Sequence, residues 1–139
     1  IYPKGTKFHE GEGRILREGS DVTLIGSGIM VATCLDAASI LKKKDISARV
    51  IDLITIKPLD KKLVLESAEK TKMILVAENA SVYGSLGSMV AALLSEKRPS
   101  KVLCIGINDE YGRVGSEEYL REYYGLTAEA IAKKVIDSF

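Results

Sequence analysis

Two kinds of apolar spacing alternate along the chain. Val22-Thr23-Leu24-Ile25, Ala48-Arg49-Val50-Ile51-Asp52-Leu53, Met73-Ile74-Leu75-Val76-Ala77-Glu78 and Lys101-Val102-Leu103-Cys104-Ile105-Gly106 are short, largely β-branched runs. Such runs fit strands covered on both faces. Between them the period lengthens to that of a helix. Val31, Cys34, Leu35, Ala38 and Leu41 share a stripe, as do Leu63, Val64, Leu65 and Ala68, and then Leu86, Met89, Val90, Leu93 and Leu94. A final amphipathic helix is expected to turn Ile131, Val135, Ile136 and Phe139 inward. Strands of about five residues alternating with helices predict an α/β domain, a parallel sheet with helices on both faces.

The punctuation agrees. Lys42, Lys43 and Lys44 close the first helix at its negative dipole end. Pro58 keeps Lys57 out of the helical region, and Asp60 is placed to cap the next helix. A Gly/Ser-rich turn runs from Ser81 to Ser88, a polar loop covers 107–115, and Ser116 and Thr127 open the last two helices. Gly13 to Glu18 reads as a short edge strand, and residues 1–12 as a polar, glycine-rich linker or surface strap ahead of a domain over 13–139. The opening Ile1-Tyr2-Pro3-Lys4-Gly5 has neither an initiator Met nor a signal-peptide pattern, and suggests a piece of something larger.

Composition narrows the function. With 139 residues the chain suits one full hydrophobic core. Twenty basic and nineteen acidic residues nearly cancel, so no general attraction to nucleic acid or membrane surfaces is expected. No apolar run approaches the roughly 18 residues of a membrane span. Cys34 and Cys104 read as reduced thiols of a cytoplasmic protein. With His9 the only histidine, and that in the leader, nucleophile–base schemes lack parts.

Three segments are candidates for chemistry. Gly26-Ser27-Gly28-Ile29-Met30-Val31 links a strand to a helix as a dinucleotide loop does, with Asp52 ending the next strand. Val31, however, stands where that loop needs a third small residue, so a tight turn using glycine's positive φ is the plainer reading. Glu78 ends a buried strand ahead of Gly84, Gly87 and a helix start; it could hold an anion, cap backbone amides, or bond locally across the strand ends. Glu117 and Glu118, with Arg113 and Arg121 and the tyrosines Tyr111, Tyr119, Tyr123 and Tyr124, form either an acid-rich helix start or a docking patch. Neither a Walker loop nor a Gly-Asp-Gly metal triplet is present.

Taken in order, Glu18-Gly19-Ser20-Asp21-Val22-Thr23-Leu24-Ile25-Gly26-Ser27-Gly28, then Val50-Ile51-Asp52-Leu53 with Thr55-Ile56-Lys57-Pro58-Leu59-Asp60, then Tyr111-Gly112-Arg113-Val114-Gly115-Ser116 and Tyr124-Gly125-Leu126-Thr127-Ala128-Glu129-Ala130-Ile131 resemble the C-terminal domain of transketolases. The resemblance runs from about Phe8 to near the end of the chain. It implies a three-layer α/β/α fold whose five-stranded, mostly parallel sheet has its first strand antiparallel. It further implies that thiamine diphosphate and magnesium sit between the preceding domains of the parent enzyme, usually across a dimer interface, and that this chain binds no cofactor and supplies no catalytic group. Its partners would then be N-terminal domains or a subunit of the same homodimeric enzyme, which shuttles two-carbon ketol units between sugar phosphates; a parent split into two chains is one possibility. Many transketolases follow the equivalent of Glu78 with an acidic residue and a histidine, where this chain has Asn79 and Ala80, so no role of that histidine carries over.

Two related parents stay open: a deoxyxylulose-phosphate synthase and the beta subunit of a 2-oxo acid dehydrogenase. A small-anion-binding regulatory module is a reading of another class. In an open sheet ligands bind beyond the carboxyl ends of the strands, which would gather Gly26, Gly28, Glu78 and Gly84 around one crevice. A free-standing nucleotide-binding oxidoreductase is the reading that Val31 argues against.

Overall fold

A computed structural model describes all residues from Ile1 to Phe139. Five strands, β1 (Arg14–Arg17), β2 (Val22–Gly26), β3 (Ala48–Asp52), β4 (Met73–Ser81) and β5 (Lys101–Ile107), form one sheet in the order β1-β3-β2-β4-β5. β1 runs antiparallel to β3 and every other pairing is parallel. Five helices complete the chain: α1 (Met30–Lys42), α2 (Lys61–Lys70), α3 (Leu86–Lys97), α4 (Glu117–Tyr123) and α5 (Ala128–Ile136).

Period-two alternation sorts the strands' side chains onto two cores. Val22, Leu24, Val50 and Leu75 face α1 and α5, meeting Cys34, Ala38, Leu41, Ile131 and Val135. Ile25, Ile51, Ile74 and Val76 face α2 and α3, meeting Val64, Leu86, Val90 and Leu94. Because both faces are covered, β2 and β3 are buried at every position. The α2 face also holds the fully buried Arg49, whose guanidinium donates to Ser67 Oγ at 3.1 Å, to Glu66 at 3.1 Å and to Glu18.

The expected caps form: Asp60, Ser116 and Thr127 accept from the amides of Leu63, Tyr119 and Ala130. Three details differ from the sequence reading. β4 continues to Ser81, since after a register shift Ser81 pairs with Ile107. α3 begins at Leu86, inside the Gly/Ser-rich stretch. Ile136 and Phe139 are exposed, not inward. Ile131 and Val135, four apart, already define the buried stripe of α5, and the next residue turns about 100° away from it.

Residues 1–12 lie across the carboxyl end of β3. The Tyr2 hydroxyl donates to Asp52 Oδ2 at 2.7 Å, the Tyr2 and Phe8 rings meet edge to face at 5.0 Å, and the Gly11 amide donates to Thr55 Oγ1 at 2.9 Å. No helix is long and apolar enough to cross a membrane.

Candidate functional site

β2 connects through α1 to β3 on one side, while α2 crosses back to place β4 on the other. The winding direction therefore reverses between β2 and β4, the position at which open α/β sheets form a crevice. Gly26 and Ala77 pair across this boundary, so Gly26 and Glu78 do come close together.

They do so for structural reasons. Glu78 is 4% exposed and lies beneath the start of α3, where Oε2 accepts from the Leu86 amide at 2.9 Å and Oε1 from the Gly87 amide at 3.2 Å. A carboxylate at a helix N-terminus satisfies amides that have no partner within the helix and opposes the dipole. This is why α3 starts at Leu86. Gly87 leaves the space the carboxylate needs: a Cβ there would stand 2.7 Å from Cys104 Sγ and 3.1 Å from Glu78 Oε1. Burial and the Glu78 charge push the Cys104 thiol above its ordinary range. Burial alone pushes Cys34 up to about 12, so neither sulfur is poised as a nucleophile.

Gly26 makes room of another kind, since a Cβ would lie 2.9 Å from Val31 Cα, which the start of α1 brings close. The sequence reading sought the small residue of the close strand–helix approach at position 31; the structure puts it at Gly26. Gly28, at φ +58°, takes the left-handed turn. It lies toward the leader, in a hollow of about 390 Å³ shared with Ile1, Tyr2, Phe8, Asp52 and Ile54. Gly84, at φ +76°, belongs to the turn before α3, where its amide donates to Ser88 Oγ at 2.9 Å. Asp52, noted above at the end of the strand that follows the glycine loop, is covered by the leader through Tyr2, whose hydroxyl is held well above its usual pKa by burial and by this carboxylate.

The cavity beside the reversal point, about 440 Å³, has other walls: Ile29, Asn79, Ile107, Arg113, Arg121 and Tyr124 are among its lining. Its arginines are largely committed. Arg121 donates to Thr33 Oγ1 and to the Leu126 carbonyl and pairs with Glu117 at 3.7 Å, tying α4 to α1. Arg113 stacks on the Tyr123 ring at 4.0 Å, while its amide donates to the Tyr124 hydroxyl at 2.9 Å. Tyr119 and Tyr123 stack at 6.1 Å, whereas Tyr111 stands apart in solvent. Sequence reasoning missed Tyr2, for which a tyrosine in a polar leader was a signal; Asn79, marked there only as a departure from the family pattern, lines this cavity.

Thiamine diphosphate would need oxygen ligands for its magnesium and a cradle for its diphosphate. No group of three or more His, Cys, Asp or Glu side chains is placed to hold a metal, and the two buried carboxylates at the strand ends already have partners. The residues of this chain do not fit that group.

Comparison with known proteins gives one consistent answer. Residues 11–131 match the family model described as transketolase, C-terminal domain. The chain is 46% identical over 133 residues to a 6-deoxy-6-sulfo-D-fructose transketolase subunit, SqwH, of Clostridium sp. strain MSTE9; the match covers 96% of this chain and 41% of that one. It is 42% identical to a 1-deoxy-D-xylulose-5-phosphate synthase of Heliobacterium modesticaldum, over 88% of this chain and 19% of the relative. Among solved structures, a split-gene transketolase described as an inactive β4 tetramer superimposes with a TM-score of 0.92 at 42% identity, covering 99% of this chain and 44% of that one. The chain thus spans about two-fifths of the length of the transketolase subunits it matches.

Proposed function

The chain belongs to the transketolase C-terminal domain family, and from that premise we propose that it is the structural and assembly domain of a thiamine-diphosphate-dependent transketolase. The parent enzyme, on this reading, is a cytoplasmic homodimer of the pentose phosphate pathway type that transfers a two-carbon ketol unit between sugar phosphates. Cofactor and magnesium belong to its preceding domains or to a companion subunit. The observation that carries this reading is the commitment of both buried strand-end carboxylates to the fold, Asp52 to the leader and Glu78 to α3. A site that ran ketol transfer would need such groups free for a metal or a proton.

A second reading, the same domain of a deoxyxylulose-phosphate synthase, is favoured by the 42% identity to the Heliobacterium protein. The block Thr55-Ile56-Lys57-Pro58-Leu59-Asp60 favours transketolase. Calorimetric titration of the 139-residue chain with thiamine diphosphate and magnesium tests the main proposal. No saturable binding is expected, and affinity in the micromolar range from this chain alone would contradict it.

A further inference from the structure

The cavity of about 440 Å³ beside the winding reversal takes no part in the function proposed above. Ile107, Leu120 and the buried Leu126 give it an apolar floor, and the exposed Ile29 an apolar lip. Three donors stand around that floor. Asn79 contributes an exposed side-chain amide. The Tyr124 hydroxyl accepts from the Arg113 amide at 2.9 Å and keeps its own proton to donate. The Arg113 guanidinium lies over the Tyr123 ring at 4.0 Å; its face is used there, and its edge keeps N–H groups for an acceptor. Open α/β sheets take ligands at this position, and binding cavities combine an apolar wall with a few polar groups.

Charge narrows the ligand. Arg121 pairs with Glu117 at 3.7 Å, so these two lining charges offset each other and Arg113 is left as the one net cation. α1 begins at the lip without a side-chain cap, and the positive end of this 13-residue helix adds to the potential there. A planar carboxylate suits the guanidinium fork, and its single negative charge balances it. A sugar phosphate fits poorly. Its roughly two charges exceed the one cation, and its hydroxyls would lie unpartnered on an apolar floor. The other concentration of cations, Lys72, Lys97, Arg98 and Lys101 where β4 and β5 begin, lines a hollow with almost no apolar wall.

We propose that this cavity is a binding site for a small organic monocarboxylate with an apolar body, held by Arg113, Asn79 and Tyr124. Every group it uses belongs to this chain, so the site stands apart from ketol transfer, which the thiamine diphosphate titration tests separately. Its own test is titration of the 139-residue chain, which covers both faces of its sheet, with benzoate, followed in the amide NMR spectrum. The amides of Ile29, Asn79 and Leu120 should shift saturably in the millimolar range, as a ligand of this size allows. Arg113→Gln should weaken binding about tenfold and Asn79→Ala about threefold, while Arg98→Gln in the basic hollow should leave it unchanged. Benzamide has the shape without the charge, and inorganic phosphate the charge without the apolar body; each should bind about tenfold more weakly or worse. The same spectra show that each variant remains folded. Absence of saturable shifts at the cavity would overturn the proposal. So would equal binding of benzamide or phosphate, undiminished binding by both Arg113→Gln and Asn79→Ala, or shifts centred on the basic hollow.

Discussion

Glu78 decides how one end of the molecule is built. Its carboxylate accepts two amide hydrogen bonds at a site 4% exposed, so the charge is stabilised only while both amides point at it. Glutamine keeps the shape but loses the charge, and turns one acceptor into a donor facing an amide. Glu78→Gln should therefore lower stability by about 1–3 kcal/mol, read as the midpoint of urea unfolding; an unchanged midpoint would remove the capping role. Asp21 gives a pH signature. A hydrogen bond from the Ser47 amide, then one from Lys72, hold its carboxyl below its usual 3.8. The stability this supplies is complete above about 3.8, where the unfolded chain also carries the charge, and disappears as pH falls through the lower folded value. Asp21→Asn should thus show a shallower loss of stability on acidification than the wild type. Parallel acid limbs for the two proteins would refute the assignment.

Among the elements, Arg49 joins three pieces of chain. From β3 it reaches Glu18 in the turn before β2, and Glu66 and Ser67 on α2. The guanidinium is fully buried, while the side chains of Glu18 and Glu66 are 66% and 40% exposed. That asymmetry sets the order of costs. Removing the arginine leaves two carboxylates that water can still solvate, whereas removing the carboxylates strands a buried cation. Arg49→Met, which also retains much of the packing volume but leaves the buried Ser67 hydroxyl without its partner, is expected to cost about 1–3 kcal/mol. The double change Glu18→Gln with Glu66→Gln is expected to cost about 3 kcal/mol or more. Urea unfolding of the two variants in the reverse order would show that the pairing energy dominates the desolvation. The sequence marked Arg49 only as a polar residue within an apolar strand, since its partners lie 31, 18 and 17 positions away. The caps Asp60, Ser116 and Thr127 were legible because each acts within three residues of itself.

At the scale of the whole molecule, polarity runs along the strands. Basic side chains gather where the strands begin, and apolar loops and the leader gather where they end. The elements forming the sheet obey local periodicity, which is why their order and type could be read from spacing alone. The arrangement of the loops could not, because each loop is placed by the strand before it and the sheet order is set by which faces bury together. Of the four residues expected around one crevice, Gly26 pairs with Ala77, the neighbour of Glu78, across β2 and β4, Gly28 turns toward the leader, and Gly84 stays in the turn before α3.

The sequence alone determined the α/β alternation, the helix caps and, through ordered blocks of residues, the family, all of them properties carried by neighbours along the chain. Only the tertiary structure decided that Glu78 caps α3, that Tyr2 covers Asp52 and that Arg49 is buried among partners from two other segments. Those outcomes depend on distances between residues far apart in sequence, which are fixed when both sheet faces are covered at once and every buried polar group has to find its partner.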